Sequence, residues 1–427
     1  MRQFVKKDRG NMLIMGALSF AVLAAFGVLT IDVGRIFVTK NQLQNAADAG
    51  ALAGASMYCE EKDPSDDAVK DRVRLIGQAH KALTMDLPAT VDIPNAQITL
   101  TNDVDNARHI VEVTTKSTTR QYFLNLLAFA AKSGTGGNSS DVHAAAAAAC
   151  GATCGVQCVK PWSIPDRWDD GVAIPGYNGG NKRPNWQNDG KYEQEDFTDL
   201  NNNRVWDLGE PYVDGNGNGQ FDAEPYNSLL TGYIPDPYPG NTLSPNGDLG
   251  FELTLKAGSP SVNSPPEPGQ YWAVDLPPIN RGTPIPGGDQ YRENIATCNP
   301  TSIWPGDWLQ TETGNMVGPT NQGMRDLIAQ DPGAYWDDIT QSVQGSLFPI
   351  SPRIVLIPIH DPRIWIKSGN SQLQVVKVAA FFMEQMQGNA EVRGRFLKVR
   401  QPGEPCVAGA GGGGGATSFT YSLSLIR

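Results

Sequence analysis

The chain has 427 residues, of which 40% are hydrophobic and 19% are charged, and its formal net charge is −11. This acidity argues against nucleic acid as a partner, because phosphate binding needs a basic face. With 46 glycines and 31 prolines, the chain is predicted to be globular and rich in loops, and its length allows two or three domains.

An uncharged apolar segment begins close to the N-terminus. No charged residue occurs between Gly10 and Ile31, and about 20 apolar residues suffice for a helix that crosses a bilayer. Four basic residues precede the segment: Arg2, Lys6, Lys7 and Arg9. Asp32 follows it, so the positive-inside rule predicts a cytoplasmic N-terminus and an exported remainder. A cleaved signal peptide would have a shorter apolar region, and we therefore expect a retained single-pass anchor in the inner membrane.

The helix is predicted to continue beyond the apolar segment. Residues Val33–Met57 contain no proline and are rich in Ala, Leu and Gln. One helical stripe of this stretch carries only apolar residues, namely Ile36, Leu43, Ala47 and Ala51. A helix over Met12–Met57 would be ~70 Å long at 1.5 Å per residue. We expect residues 1–57 to form a basic tip, an anchor and a helical stem whose small-residue face allows close packing.

Two elements of this N-terminal part are distinctive. They are Asp-Val-Gly-Arg at Asp32–Arg35 and Gln-Asn-Ala-Ala-Asp-Ala-Gly-Ala-Leu-Ala-Gly-Ala at Gln44–Ala55. Over this stretch the chain resembles TadG-like proteins of the tight-adherence (Tad/Flp) pilus-assembly family. The resemblance implies a non-enzymatic, single-pass envelope protein that acts in pilus assembly or surface attachment. Its implied partners are the lipid bilayer and other pilus-assembly or envelope proteins.

One departure separates this segment from type IV prepilins. Prepilins carry a cleavable glycine that is followed five residues later by glutamate, whereas Met15 occupies that place after Gly10. The carboxylate that prepilins use in subunit packing is therefore missing. A minor pilin-like subunit, cut after Gly10 and built into a fibre, is the alternative to a retained tether.

The exported part is predicted to be α+β and to comprise three regions. Residues 58–150 form a small α+β unit, residues 151–300 a loop-rich insertion, and residues 301–427 a unit with an antiparallel sheet that the last strand closes. The predicted helices are Asp63–Met85 (capped by Ser65 or Asp66), Arg120–Lys132 and Asn321–Gln330. The predicted strands are Thr90–Thr101, His109–Thr118, Arg353–Ile359, Gln372–Met386, Ala390–Val399 and Ser418–Ile426. Ala144–Ala149 and Val378–Gln387 fit either a helix or a strand.

The strongest chemical signal lies in the insertion. Oxygen-bearing side chains occupy positions one, three, five, nine and twelve of a short segment, namely Asp199, Asn201, Asn203, Asp207 and Glu210. Position seven, Val205, offers a backbone carbonyl. This spacing is the calcium-loop pattern, because alternate side chains of a curled loop can surround a hard cation with oxygens.

A second copy of the pattern follows directly. It contains Asp214, Asn216, Asn218, Gln220, Asp222 and Glu224, the last one residue early. Trp206–Tyr212 and Phe221–Tyr226 align as an internal duplication. Because no helices flank the loops, the pair resembles the tandem calcium loops of dockerins and thrombospondin-type repeats, which implies a structural Ca²⁺. A hairpin of asparagine and glycine with solvated acids is the other interpretation.

The cysteines are predicted to form disulfides. There are six: Cys59, Cys150, Cys154, Cys158, Cys298 and Cys406. An even number in an exported chain favours disulfides, and a metal site at the Cys150–Cys158 cluster is the rival interpretation. The spacing does not determine which cysteines pair.

Sequence motifs of catalysis are absent. The four histidines are scattered, and the chain contains none of the patterns H-E-x-x-H, G-x-S-x-G and G-x-x-x-x-G-K-[ST]. His360 and Asp361 could orient a base, but we expect both at a sheet edge with no nucleophile beside them. We predict that the protein is not an enzyme. A membrane-anchored ligand-binding or enzymatic ectodomain is the further alternative.

Overall fold

The chain forms two compact units. The computed structural model describes residues 8–60, 64–83, 88–103, 108–120, 139–153, 155–170, 192–203, 205–235, 247–257, 267, 269–276, 288–312, 316–364, 371–388, 390–401 and 419–426. Unit 1 comprises Met1–Asp103, His109–Cys150 and Leu423–Arg427, and unit 2 comprises Val104–Arg108 and Gly151–Ser422. The mixture of helices and sheets confirms the predicted α+β class.

Unit 1 begins with the long helix that the sequence predicts. Helix α1 spans Asp8–Glu60 without interruption, in keeping with its many alanines and leucines and its lack of proline. Its N-terminal half exposes large apolar side chains: Met12, Leu13, Ile14, Met15, Leu18, Phe20, Val22, Leu23, Phe26 and Ile31. Among the described residues, no helix combines the length and the hydropathy that a membrane crossing requires.

The second half of α1 packs closely through small residues. Leu43, Ala47 and Ala51, three members of the predicted stripe, are fully buried. A Cβ atom on Gly54 would lie 2.5 Å from Cγ2 of Val73, so only glycine allows this approach. The predicted small-residue face is therefore confirmed as a packing surface inside unit 1.

Helix α2 is shorter than predicted. It spans Asp66–Gly77, and the Ser65 hydroxyl caps it by accepting a hydrogen bond from the backbone N–H of Ala68 (3.3 Å). The prediction of a helix to Met85 is wrong beyond Gly77. The chain instead enters strand β1, whose pairing with a second strand overrides the local helix propensity.

The strands of unit 1 form a small ribbon and a larger sheet. They are β1 (Lys81–Leu83), β2 (Pro88–Thr90), β3 (Ile98–Asp103), β4 (Arg108–Arg120) and β5 (Ser139–Ala152), with a 3₁₀ turn at Asn95–Gln97. β1 pairs with β2, and β3, β4 and β5 are neighbours in the larger sheet. The ambiguous run Ala144–Ala149 is a strand within β5. The predicted helix Arg120–Lys132 lies outside the described residues except for Arg120, which ends β4.

The described residues of unit 2 form a closed sheet and two helices. The strands of the unit are β6 (Trp162–Pro165), β7 (Glu252–Ala257), β8 (Gln270–Asp275), β9 (Trp308–Thr311), β10 (Tyr335–Asp337), β11 (Ser342–Gln344), β12 (Ile354–His360), β13 (Gln372–Gln387), β14 (Glu391–Leu397) and β15 (Val399–Arg400). The order β12-β6-β8-β7-β14-β13-β9 closes on itself because β12 also pairs with β13. β10 and β11 form a separate hairpin. Helices α3 (Gly288–Ala296) and α4 (Val317–Ile328) contribute Tyr291, Ile295, Met324 and Leu327 to the main core.

The last strand differs from its prediction in direction. Strand β16 (Thr420–Ile426) pairs in parallel with β15, through Val399 with Thr420 and Arg400 with Tyr421. The prediction that the last strand closes an antiparallel sheet is therefore wrong for the pairing of β16 with β15. A parallel neighbour requires a connection of a dozen or more residues, and the stretch of sequence between Arg400 and Thr420 is long enough for one. Strand β13 is confirmed as a strand throughout, against the alternative helix over Val378–Gln387.

Two disulfides confirm the oxidised state of four cysteines. Cys59 pairs with Cys150, which joins the end of α1 to β5. Cys158 pairs with Cys298, which joins the segment before β6 to the end of α3. Cys154 and Cys406 lie outside the described residues. Because Cys150 and Cys158 are bonded elsewhere, the rival metal site at the cysteine cluster is not formed.

Candidate functional site

In the first oxygen-rich loop, the predicted ligands meet at one carboxylate. Asn201 Nδ2 and Asn203 Nδ2 donate to Asp207 Oδ2 at 2.7 and 2.6 Å. The backbone N–H of Asn203 donates to Asp199 Oδ1 (3.2 Å), and that of Val205 donates to Asn203 Oδ1 (2.9 Å). These contacts curl the loop and bring positions three, five and nine together.

The second loop repeats the arrangement. Asn216 Nδ2 and Asn218 Nδ2 donate to Asp222 Oδ2 at 2.7 and 2.9 Å. The N–H of Asn218 donates to Asp214 Oδ1 (3.1 Å), and that of Gln220 donates to Asn218 Oδ1 (2.7 Å). The duplication seen in the sequence is therefore a duplication of local structure as well.

Both loops turn through a residue with positive φ. The angle is 59° at Asn202 and 78° at Gly217, which hold the same position in the two loops. Glycine, and less readily asparagine, adopts this backbone conformation at little cost, whereas most side chains would be strained there. The sequence therefore supports the loop shape at its tightest point.

Each loop is closed by a glutamate that binds backbone N–H groups, a role that the calcium-loop spacing of the sequence did not predict. Glu210, the predicted twelfth residue, accepts hydrogen bonds from the backbone N–H groups of Leu200 (2.8 Å) and Asp207 (3.0 Å). Its two oxygens thus bind the backbone of the first loop.

In the second loop, Glu195 takes the equivalent place. Its oxygens accept from the N–H groups of Gly215 (2.8 Å) and Asp222 (3.1 Å). Glu224, the predicted last ligand, accepts a hydrogen bond from the backbone N–H of Glu193 (2.9 Å), outside the second loop. Sequence reasoning missed Glu195. One signal in the sequence could have revealed it. Glu195 lies before Asp199, the first residue of the first loop, at the same spacing as Glu210 lies before Asp214, the first residue of the second loop.

Aromatic rings hold the two loops together. The rings of Trp206 and Phe221, which occupy equivalent positions, stack with centroids 4.5 Å apart. The rings of Phe197 and Tyr212 each pack edge to face on Phe221, and in both pairs the ring centroids are 5.8 Å apart. An isolated β-bridge joins Phe197 to Tyr212. The tandem loops (192–226) therefore form one module with its own small aromatic core.

The module concentrates negative charge. Burial, together with the nearby carboxylates of Asp222 and Asp214, raises the pKa of Glu195 above its ordinary value. The side chains offered are carboxylates and amides, the oxygen donors that Ca²⁺ accepts. In the part of the chain that the structure describes, no three or more His, Cys, Asp or Glu side chains are grouped so as to hold a metal.

Two expectations for His360 are wrong: it does not lie at a sheet edge, and a serine hydroxyl lies beside it. It is fully buried at the end of β12, which pairs with β13 on one side and β6 on the other. Ser163 of β6 lies with Oγ 2.9 Å from His360 Nδ1, and it too is fully buried. This serine–histidine pair has no solvent access for a substrate, and it packs as part of the sheet.

Comparison with known proteins identifies one segment. No curated protein and no solved structure matches the chain significantly. The resemblance of the loops to dockerins and thrombospondin-type repeats stays a prediction. Residues 10–57, which lie within α1, match the model of a family described as putative Flp pilus-assembly TadE/G-like, and this confirms the TadG-like resemblance for that segment. The chain thus carries a TadE/G-like segment of the Flp pilus-assembly type, which points to an envelope-associated, structural role.

Proposed function

We propose that this protein is a non-enzymatic, single-pass envelope protein that acts in Tad/Flp pilus assembly or surface attachment. The observation that carries the proposal is the family match over residues 10–57, which coincides with one continuous helix. Its partners are then other pilus-assembly or envelope components. The small-residue packing of the second half of α1 supports a stem that is fixed to the exported body.

The N-terminal half of α1 is proposed as the anchor in the inner membrane, with the N-terminus in the cytoplasm. Its exposed apolar side chains would be covered by lipid, and the basic residues before it favour the cytoplasmic side. The disulfides Cys59–Cys150 and Cys158–Cys298 support export of the remainder, because such bonds persist in oxidising compartments.

A deletion strain tests the role. We expect loss of surface pili and of attachment, restored by the full chain but not by a chain that lacks residues 10–57. Protease added to spheroplasts should digest the exported units of the membrane-bound protein. Normal piliation of the deletion strain would contradict the function, and extraction of the protein by carbonate would contradict the anchor. A mature N-terminus at Asn11 would favour the processed, minor pilin-like alternative.

We further propose that the tandem loops hold structural Ca²⁺. The first loop would supply Asp199, Asn201, Asn203, Asp207 and the carbonyl of Val205, and the second Asp214, Asn216, Asn218, Asp222 and the carbonyl of Gln220. Exported calcium modules bind at ~10⁻⁴–10⁻³ M, so the ion would be bound permanently outside the cell. The convergence of amide and carboxylate groups in both loops supports this proposal.

Calorimetry of the full chain in detergent tests the calcium proposal. We expect CaCl₂ to bind with measurable heat and EDTA to lower the melting temperature. The variant Asp207→Ala/Asp222→Ala should lose both effects, whereas Asp67→Asn, an exposed acid on α2, should keep them. Absence of calcium heat together with a melting temperature that EDTA leaves unchanged would refute the proposal.

A further inference from the structure

The tandem loops differ in the residue that follows each of their paired asparagines. In the second loop this residue is glycine both times, at Asn216–Gly217 and Asn218–Gly219. In the first loop it carries a side chain both times, at Asn201–Asn202 and Asn203–Arg204. Asparagine followed by glycine is the pair most open to spontaneous deamidation, because glycine has no side chain that hinders attack by its own backbone nitrogen. The duplication therefore joins a chemically labile loop to a less reactive one.

The deamidation reaction uses only the chain itself and water. The backbone nitrogen of the glycine gives up its proton and attacks Cγ of the preceding asparagine. A bond forms between that nitrogen and Cγ, the bond between Cγ and Nδ2 breaks, and Nδ2 leaves as ammonia with the proton. Water then opens the cyclic imide at either carbonyl, which gives aspartate or isoaspartate. Isoaspartate carries the main chain through the side-chain carbon, so the loop no longer has its original spacing.

In the second loop as it is folded, one carboxylate holds both attacking groups. The backbone N–H of Gly217 donates to Asp214 Oδ1 (2.6 Å), and that of Gly219 donates to Asp214 Oδ2 (2.9 Å). A carboxylate that accepts from an N–H group opposes loss of the proton, because the nitrogen anion would face a negative charge at short range. Asp214 therefore suppresses the first step of the reaction at both asparagines.

The side-chain amides that would be attacked are held as well. Both Nδ2 atoms donate to Asp222 Oδ2. Asn216 Oδ1 accepts from the backbone N–H of Asn218 (3.0 Å), and Asn218 Oδ1 accepts from that of Gln220 (2.7 Å). The oxygen and the nitrogen of each amide thus have a partner in the folded loop, and these hydrogen bonds must break before Cγ can turn towards the glycine nitrogen.

The second loop lies at the surface, where it can open locally and where water reaches it. Asp214, Gly217, Asn218 and Gly219 are all exposed, so opening does not require a core to unfold. We propose that the second loop is a deamidation site gated by its conformation. Its two asparagines persist while Asp214 holds the glycines that follow them, and they convert to aspartate and isoaspartate once the loop opens. No bound ion takes part, so this chemistry is independent of the calcium proposal.

Mass spectrometry of the full chain, incubated in detergent at pH 8 with EDTA, tests this. Fragment spectra of peptic peptides locate the gain in mass at each asparagine, and chromatography separates aspartate from isoaspartate. We expect Asn216 and Asn218 to deamidate at least about tenfold more slowly than in the same chain unfolded in urea. Asp214→Ala, at an exposed position, should raise both rates at least about tenfold, the factor that one hydrogen bond to a charged group supplies.

Asp199→Ala is the matched control, because Asp199 holds the same position in the first loop and accepts from the backbone N–H of Asn203 (3.2 Å). This variant opens a loop in which no asparagine precedes a glycine. Asn201 and Asn203 should therefore remain unconverted over the period in which Asp214→Ala converts the asparagines of the second loop.

Three results would overturn the proposal. The first is an equal rate in the folded and the unfolded chain, and the second is an unchanged rate in Asp214→Ala. The third is equal acceleration in Asp214→Ala at Asn178 and Asn246, which also precede glycine in the sequence, because the variant would then have loosened the whole chain and not the loop. Acceleration confined to Asn216 and Asn218, with isoaspartate among the products, would support it.

Discussion

Glu195 and Glu210 each fix one of the tandem loops through a pair of backbone hydrogen bonds. Glu195 precedes the first loop in the chain and yet closes the second. The two loops are therefore interlocked, because the second cannot close unless the segment before the first is in place. A search of the sequence for a fixed ligand spacing does not find Glu195, because this residue is far in sequence from the loop that it closes.

Replacing Glu195 by glutamine should open the second loop. Glutamine keeps one acceptor but turns a donor towards an N–H group that needs an acceptor, which we expect to cost about 1–3 kcal/mol of unfolding free energy. Hydrogen exchange should show faster exchange at the amides of Gly215 and Asp222. Glu267→Gln, at an exposed position, serves as the control. Unchanged protection of the amides of Gly215 and Asp222 in Glu195→Gln would show that the Glu195 carboxylate is not needed to close the second loop.

His360 gives unit 2 a dependence on pH. Its burial lowers its pKa to about 3, whereas the imidazole of an unfolded chain has a pKa of about 6.5. Between these values the unfolded state binds more protons than the folded state, so stability falls as the pH falls below 6.5. Ser163 is its hydrogen-bond partner in the fold, and Asp361 beside it pairs with Arg363.

Acidification from pH 7 to pH 5 should therefore remove about 2 kcal/mol of unfolding free energy through His360. Urea denaturation at several pH values measures this slope. His360→Gln should flatten the slope, whatever its effect at pH 7, because glutamine does not titrate in this range. His143→Gln, at an exposed position, should leave the slope as it is; an equal flattening in both variants would contradict the assignment.

Among the elements, regular periodicity predicts long ones well. α1 follows its pattern from end to end, because a sustained run of helix formers dominates local alternatives. In β13, by contrast, Val378–Gln387 fits a helix or a strand, and the neighbouring strands of the sheet decide for the strand. The end of α2 and the direction of β16 were mispredicted, because both depend on which strand lies alongside. The first halves of the candidate loops were predictable because their ligands are local, whereas Glu195 and Ser163 reach their partners only through the fold.

The packing of α1 on α2 gives a test at the same scale. A Cβ on Gly54 would lie 2.5 Å from Val73 Cγ2 and 3.0 Å from Val111 Cγ1, so Gly54→Ala should lower the unfolding free energy by about 1–3 kcal/mol. Gly34→Ala, in the same helix with no atom within 4 Å of the added carbon, should be neutral or stabilise by up to about 1 kcal/mol. Thermal melts that ranked the two variants the other way would contradict this packing.

On the scale of the whole molecule, each unit carries its own cross-link. Cys59–Cys150 lies within unit 1 and spans 91 residues of sequence, and Cys158–Cys298 lies within unit 2 and spans 140. A cross-link stabilises chiefly by restricting the unfolded chain, and long loops are restricted most. The two units should therefore respond separately to the loss of one disulfide.

Replacing Cys59 and Cys150 by serine should lower the stability of unit 1 by about 2–5 kcal/mol and leave the unfolding transition of unit 2 in place. Calorimetry with limited proteolysis of each unit distinguishes the two transitions. The matched variant Cys158→Ser/Cys298→Ser should give the reverse result. If both double variants shifted one shared transition by the same amount, the units would not unfold independently.

The assignment of Leu423–Arg427 to unit 1 has a consequence for biogenesis. The chain is synthesised from its N-terminus, so α1 and both cysteines of Cys59–Cys150 are made early, whereas Leu423–Arg427 are made only after unit 2. If the chain is exported as proposed, unit 1 therefore stays partly assembled until the residues of unit 2 have been exported. Translation that stops before Leu423 would therefore leave unit 1 without the residues that complete it.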